Sequence, residues 1–273
     1  MSAIQTDRTA PALVRAIEAN TIGYYLNYRR FAPTEIHDEP GLLWFSTGLA
    51  LPEFNGVLRT ELSPTEADAR IAATLAQFER RRLPLIWHLG PSAQPVDLPE
   101  RLLAHGLTHY EDEPGMAADL QAIDETSDAP PGLRIQPVAD EAAFRLWLRV
   151  WGYEAPDAAL ELYFTLYAQL GLGAPQPLQH YLGWLDNAPV ATAALFYDAG
   201  VVSVQHVVTL PAARRRGIGA AMTLHMLRLA RAAGYRIATL TASPLGLNTY
   251  RRLGFREYCL FRRYLWQPAP AAE

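Results

Sequence analysis

Three consecutive arginines stand beside a Gly-x-Gly sequence in the C-terminal half of the chain. Arg214, Arg215 and Arg216 are followed by Gly217 and Gly219, after which an apolar helical pattern begins. The first N–H groups of a helix lack partners within the helix and lie at the positive end of its dipole. Because glycines let the backbone approach a ligand closely, the spacing predicts a site for a phosphate or another anion.

A tyrosine further along the chain could supply acid chemistry. In TASPLGLNTYRRLGF, Tyr250 stands four residues before Gly254 and Phe255. A phenolic hydroxyl can donate a proton to a strongly basic leaving group. Taken singly, both motifs have ordinary alternatives, namely a glycine-containing connection with solvated arginines and a tyrosine that packs. No Lys-Ser/Thr follows the glycines, so the turn is not a P-loop, and the preceding strands form no βαβ unit of a dinucleotide fold.

The elements around these residues predict an α/β (α+β) domain over residues 133–267. Its predicted order is β-α-α-β-β-β-α-β-α-β, a mixed sheet with helices on both faces. Asp186-Asn187 separates HYLGWL from APVATAALFY, and Asp198-Ala199-Gly200 precedes GVVSVQHVVTL. Such turn-forming pairs predict that these three strands form an antiparallel meander.

The N-terminal half repeats part of this order. GLLWFSTGLA, FNGVLRTEL, SPTEADARIAATLAQFERR, LPLIWHLG and DLPERLLAHGL read as strand, strand, helix, strand and helix, which predicts an internal pseudo-repeat. The acidic, proline-rich stretch between the halves predicts a linker. The expected organisation is therefore an N-terminal domain at 1–125, a linker at 126–132, a C-terminal domain at 133–267 and a tail at 268–273.

The composition narrows the function classes. The chain has 273 residues, of which 50% are hydrophobic, and a formal net charge of -4. This balance lacks the basic surface of a general nucleic-acid binder, and no apolar run is long enough to span a membrane. Cys259 is the single cysteine, so neither an internal disulfide nor a zinc framework is expected. We predict a cytoplasmic protein without a metal, a membrane partner or a nucleic-acid partner.

Taken together, the two motifs resemble the GNAT superfamily of acyl-CoA-dependent N-acyltransferases. The family pattern is Arg/Gln-x-x-Gly-x-Gly/Ala after the fourth strand, then a Tyr four residues before Gly-Phe. The matching residues are Arg214, Gly217, Gly219, Tyr250, Gly254 and Phe255. The resemblance implies two GNAT-like mixed-sheet domains with flanking helices, of which the C-terminal one is complete. The N-terminal one is degenerate, because its turn SPTEADARI has no arginine or glycine.

The resemblance also implies a track for acyl-CoA. In this family the pyrophosphate binds the turn, the pantetheine arm pairs with strand four, and the thioester carbonyl lies against a backbone N–H near Val207. The residues at these positions are Val207, Val208, Thr209, Arg214, Arg215, Arg216, Gly217, Ile218, Gly219, Ala220 and, on the next helix, Asn248. Tyr250 would protonate the departing thiolate.

The general base is not assigned by the sequence. Counting back from Gly217, Ser203 and Gln205 should face the substrate, and neither is basic near neutral pH, unlike the glutamate or histidine of other members. His206 has a suitable pKa, but strict alternation points it to the other face unless a bulge turns it inward. Glu161, His180 and direct attack by an already neutral amine stay open.

The expected activity is direct transfer of an acetyl group from acetyl-CoA to a primary amine of a small molecule or peptide, by a monomer or homodimer. A longer acyl donor stays open. The alternative is a non-catalytic acyl-CoA-binding module, which the missing base favours and Tyr250 disfavours. Trp147, Trp151, Tyr153, Tyr163, Phe164 and Tyr167 lie on the helices that wall the acceptor pocket in the family, although aromatics at helical spacing more commonly form a core.

Overall fold

The computed structural model describes residues 3–123 and 129–269. Residues 126–128 of the predicted linker and 270–273 of the predicted tail lie outside the described residues. The helices are α1 (Ala10–Leu26), α2 (Ala67–Arg81), α3 (Leu98–Ala104), α4 (Glu141–Trp151), α5 (Asp157–Leu170), α6 (Ile218–Ala232) and α7 (Leu247–Arg252). The strands are β1 (Glu35–Glu39), β2 (Leu42–Ser46), β3 (Asn55–Thr60), β4 (Leu85–Leu89), β5 (Thr108–Asp119), β6 (Arg134–Pro137), β7 (Leu178–Leu185), β8 (Ala188–Asp198), β9 (Val201–Thr209), β10 (Ile237–Thr241) and β11 (Arg256–Trp266).

The chain folds into two compact units that interleave in sequence. The first unit comprises Met1–Tyr24 and Pro114–Tyr258, and the second comprises Tyr25–Glu113 and Cys259–Glu273. Most of α1 and the end of β5 thus belong to the first unit, and most of β11 to the second. The sequence patterns carried no sign of this exchange, because strand periodicity reports which faces are apolar and not which strands are neighbours.

The first unit has the strand order β5-β10-β9-β8-β7-β6. The predicted antiparallel meander is confirmed, with β7 pairing β8 and β8 pairing β9. Asp186 and Asn187 both adopt positive φ, 50° and 64°, as the predicted tight turn requires. β10 lies parallel to β9 and antiparallel to β5.

Helices cover both faces of the first unit's sheet, also as predicted. On β7, Tyr181 packs edge-on against His225 of α6, whereas its neighbour His180 packs against Trp147 of α4. The α6 face holds a hydrophobic core in which Val202 and Val204 of β9 meet apolar residues of α6. Alternation along each strand therefore separates an α6 face from an α4 face.

The N-terminal segment is anchored to the first unit. Backbone N–H of Gln5 donates to the carbonyl of Gly200 at 2.9 Å, and the Asn20 side chain donates to the carbonyl of Asp198 at 3.0 Å. The carboxylate of Asp119 pairs with Arg8 at 2.7 Å and with Arg236 at 2.8 Å. These contacts hold α1 in place up to Tyr24.

The second unit has the strand order β1-β2-β3-β4-β11, in which only β3 and β4 run parallel. The predicted order of strand, strand, helix, strand and helix is present as β2, β3, α2, β4 and α3. Apolar residues of α2, α3 and these strands form its core. Among the described residues, no helix has the length and apolar character needed to cross a membrane.

Candidate active site

A gap opens in the first unit's sheet between β9 and β10. The two strands pair only at Val202–Ala238 and Ser203–Thr239. Beyond this point β10 stays with β5, and β9 stays with β8 as far as Thr209. Among the described strands, the β10 side of β9 therefore has no strand neighbour from Val204 onward. Such an edge can form backbone hydrogen bonds with an extended ligand.

A β-bulge lies in β9 beside this gap. The register runs from Ala194–Gln205 to Thr192–Val208, so two residues of β9, His206 and Val207, stand opposite one of β8. His206 has a φ of 55°, and its carbonyl accepts a hydrogen bond from the Thr192 hydroxyl at 2.8 Å. The bulge interrupts alternation, so His206 lies on the α4 face rather than the α6 face that strict alternation gives.

His206 is enclosed by aromatic residues from three helices. Its ring packs nearly perpendicular to Trp147 and Trp151 of α4, with centroids 5.4 and 5.3 Å away. Its Nε2 lies 2.7 Å from the Tyr24 hydroxyl of α1, which in turn lies 2.5 Å from the Tyr167 hydroxyl of α5. Burial lowers the pKa of His206 to about 4, so the imidazole is neutral near pH 7.

The two alternative bases, His180 and Glu161, lie on other elements than β9. His180 is 2% exposed, and neither ring nitrogen has a hydrogen-bond partner among the described residues. Burial holds its pKa well below the usual value, and the nearby His206 acts in the same direction. Glu161 is exposed and forms an ion pair with Arg145 at 2.8 Å. Of the candidate bases, only His206 lies on β9.

The buried histidines predict a loss of stability on acidification. The folded pKa of His206 lies below its usual 6.5, and those of His180 and His88 lie well below it. As the pH falls through 6.5 the unfolded chain takes up protons first, so stability present above pH 6.5 is lost toward pH 4. For His206 alone the loss is about 3 kcal/mol.

We expect urea unfolding to report a smaller free energy of unfolding at pH 5 than at pH 7. His206→Gln should flatten this dependence, whereas His105→Gln, at a partly exposed site, should not; an equal slope in all three proteins would contradict the assignment.

Ser203 and Gln205 lie on the α4 face, opposite Val202 and Val204. That they face a substrate stays a prediction. The Gln205 amide donates to the Ser203 hydroxyl at 3.0 Å, and Ser203 is only 2% exposed. Gln205 is the partly exposed member of the pair and hence the more accessible one. Neither can take up a proton near neutral pH.

The arginine-glycine turn connects β9 to α6 through a short helical turn at Pro211–Ala213. Arg215 and Gly217 have φ values of 63° and 77°, and α6 begins at Ile218. Gly217 has no side chain to cap the helix, so the first N–H groups of α6, including those of Gly219 and Ala220, are available to an anion.

The three arginines have different roles in this turn. Arg214 donates to the Thr209 carbonyl at 3.0 Å and to the Tyr153 hydroxyl at 2.8 Å. It therefore braces the turn against the end of β9 and against α4's C-terminal extension. Arg215 and Arg216 are exposed and form no hydrogen bond or ion pair with the described residues. Their charge is available to a ligand.

Gly219 is not required by the packing of the protein. Its backbone is not in the left-handed region, and a Cβ placed on it would meet only the Thr209 Oγ1, at 3.6 Å. Alanine would therefore fit the folded chain and favour the helix. A methyl group here would occupy the space in which a phosphate could approach the N–H groups of α6. The start of α6 therefore has room for the pyrophosphate of an acyl-CoA.

Tyr250 lies on α7 and packs against the core cluster that contains Val202 and Val204 of β9. Its ring is partly buried and packs edge-on against Phe255 at 6.0 Å. Val207 of the bulge and Ala220 of the turn pack against that cluster as well. Asn248, on the exposed side of α7, accepts a hydrogen bond from Arg251 at 3.3 Å. Tyr250, Val207 and Ala220 thus lie on the α6 face, whereas His206 lies on the α4 face.

The corresponding gap in the second unit is filled by its own chain. β3 and β4 also pair at only two positions, Gly56–Ile86 and Val57–Trp87. Beyond them, the Gln94 N–H donates to the Thr60 carbonyl at 2.7 Å, and the Leu62 N–H donates to the Gln94 carbonyl at 3.3 Å. Gln94 therefore pairs with the edge that the equivalent strand of the first unit leaves open.

Sequence reasoning missed Tyr24 and Tyr167 as neighbours of His206. Tyr24 is 182 residues away in the chain, and its helix carries no motif. A positive φ at a histidine is several-fold more common than at most residues, but that tendency alone is too weak to locate a bulge.

Part of the chain matches a known protein family. The acetyltransferase (GNAT) family model matches residues 141–255. A GCN5-related N-acetyltransferase from Kribbella flavida is similar in structure, with a TM-score of 0.71 and 21% identity over 92% of this chain and 96% of that one. A conserved protein of unknown function from Staphylococcus epidermidis has a TM-score of 0.67 and 13% identity over 85% and 93% of the two chains.

A further similar structure is itself tandem. The tandem GNAT protein from the clavulanic acid biosynthesis pathway has a TM-score of 0.59 and 15% identity over 99% of this chain and 98% of that one. These identities show a shared fold, and no curated protein matches the chain in a sequence search. The motif-bearing strand, turn and helices all lie inside residues 141–255, the segment that matches the acetyltransferase (GNAT) family model.

Proposed function

We propose that the protein is an N-acetyltransferase that moves an acetyl group from acetyl-CoA directly to a primary amine of a small molecule or peptide. The observation that carries this proposal is the continuous track formed by the open edge of β9, its bulge and the turn into α6. An extended chain ending in a diphosphate matches this combination of strand edge and helix N-terminus.

The chain's own residues would bind acetyl-CoA along this track. Backbone groups of Val207, Val208 and Thr209 pair with the pantetheine arm, and the first N–H groups of α6 hold the pyrophosphate. Arg215 and Arg216 add charge, while Arg214 keeps the turn closed. When bound, acetyl-CoA supplies the acetyl group activated as a thioester.

Three groups then assist the transfer. A backbone N–H near Val207 donates to the carbonyl oxygen as negative charge develops there. The amine nitrogen forms a bond to the carbonyl carbon and the carbon–sulfur bond breaks. His206 accepts the proton that the nitrogen loses, and Tyr250 donates one to the thiolate. Because His206 is neutral near pH 7, one of its ring nitrogens has a lone pair that can accept a proton.

A search for turnover tests the proposal against a binding-only module. Acetyl-CoA is offered with a panel of amines that includes amino acids, polyamines, arylalkylamines, aminoglycosides and peptides with free N-termini, and free thiol release is followed. Release that depends on both the amine and the protein is expected. Calorimetric binding of acetyl-CoA without release across the whole panel would favour the non-catalytic module. A parallel run with longer acyl-CoA donors tests the choice of the acetyl group.

A further inference from the structure

Three side chains from separate elements form a hydrogen-bonded chain that ends at the imidazole of His206. The Tyr167 hydroxyl of α5 lies 2.5 Å from the Tyr24 hydroxyl of α1, and the Tyr24 hydroxyl lies 2.7 Å from Nε2 of His206. Tyr24 and Tyr167 are 7% and 3% exposed. Both hydroxyls are shielded from water, so their hydrogen bonds are made mainly within the protein.

The packing leaves the imidazole little freedom to rotate. Trp147 and Trp151 lie at 87° and 90° to its plane, and the ring of Tyr24 packs edge-on against Phe196 at 5.5 Å. The titratable groups that face the ring are Tyr24 of α1, Tyr167 of α5 and His180 of β7, the last at 6.5 Å. No carboxylate is among the groups that contact it in the described part of the chain.

Proton counting gives this arrangement a chemical consequence. A neutral imidazole has one N–H and one nitrogen lone pair, and each phenol has one proton to donate. The Tyr24 oxygen either donates to Nε2 and accepts from Tyr167, or accepts from Nε2 and donates to Tyr167. These two orders place the imidazole proton on Nδ1 and on Nε2, respectively. Only the second leaves a ring lone pair, on Nδ1, free to accept a proton from the amine, so it is the order that the proposed base role requires.

We propose that Tyr24 is a positioning residue for His206, holding the imidazole in one tautomer and one orientation, with Tyr167 fixing the direction of the hydrogen bonds. This role rests on the acetyl transfer proposed above. The helix α1 therefore belongs to the active site, although it lies outside the matched family segment at 141–255.

Replacement of Tyr24 by Phe removes the hydroxyl and keeps the ring that packs on Phe196. We expect kcat/KM for the amine to fall roughly ten-fold and the acid limb of its pH profile to move, because one hydrogen bond to the base is lost. The Kd for acetyl-CoA should not change, and Tyr167→Phe should give a smaller loss. The control is Tyr181→Phe, which removes another buried hydroxyl of the first unit, bonded at 3.2 Å to Gln179; its kcat/KM and pH profile should match those of the unchanged protein.

A measurement that needs no turnover separates this role from the proposed reaction. ¹⁵N NMR of histidine-labelled protein, with the His206 signals assigned by their loss in His206→Gln, reports which ring nitrogen carries the proton. One tautomer is expected for the unchanged protein, and a mixture for Tyr24→Phe. An identical tautomer in both proteins, or equal losses of kcat/KM in the Tyr24 and Tyr181 variants, would overturn the positioning role. Absence of turnover with every amine would instead refute the proposed reaction.

Discussion

Replacing Tyr250 by Phe is expected to lower kcat by roughly two to three orders of magnitude, the usual range for loss of a general acid. The thiolate is strongly basic when the carbon–sulfur bond breaks, so it benefits from a proton donor in the transition state. The ring keeps its contact with Phe255, and the Kd for acetyl-CoA should stay within about two-fold, because one lost hydrogen bond contributes little to binding. Steady-state kinetics and calorimetry measure the two quantities separately.

Tyr235 provides the matched control for this substitution. It packs against the same core cluster, with its ring 5.3 Å from Tyr197, but follows the far end of α6. Tyr235→Phe should retain full kcat. If Tyr250→Phe also retained it, the thiolate would have to take its proton from water, and Tyr250 would be a packing residue.

Replacing Gly219 by Ala is expected to weaken acetyl-CoA binding by roughly ten- to a hundred-fold, as the loss of one or two hydrogen bonds to a charged group implies. The added Cβ would meet only Thr209 Oγ1 within the protein, so the folded state should tolerate it. We therefore expect an equal or slightly higher Tm together with the weaker Kd. Calorimetry and thermal unfolding on the same samples test both.

Gly234→Ala, near the other end of α6, should show the opposite behaviour. Gly234 has a φ of 88°, which strains any residue with a Cβ, so Tm should fall while the Kd for acetyl-CoA stays unchanged. Undiminished affinity in Gly219→Ala would mean that the pyrophosphate does not approach the start of α6.

Sequence reasoning reached those parts of the site that are local in the chain. The turn from Arg214 to Gly219 and the helix carrying Tyr250 each lie within one short segment whose residue types dictate the backbone. Even so, the side chain of Arg214 could not be assigned to Thr209 and Tyr153, because a basic residue in a turn has no preferred partner in the sequence.

The long-range features could not be predicted in the same way. Alternation along β9 assigns His206 to the α6 face, and only the extra residue of the bulge places it beside Trp147 and Trp151. The partnership of Tyr24 with His206 depends on how α1 joins the first unit. Both features follow from tertiary packing, which overrides local pattern when the two conflict.

The segment at Gln94 makes the open strand edges of the two units different. In the second unit, the backbone of Gln94, which belongs to the same chain, pairs with the backbone of Thr60 and Leu62. In the first unit, the corresponding edge of β9 has no strand neighbour among the described strands, and we propose that acetyl-CoA binds there. A permanent intramolecular partner has no concentration dependence, whereas a diffusing one does. We therefore expect the open edge of the first unit to bind acetyl-CoA with a single-site isotherm, and the filled edge of the second unit to bind none.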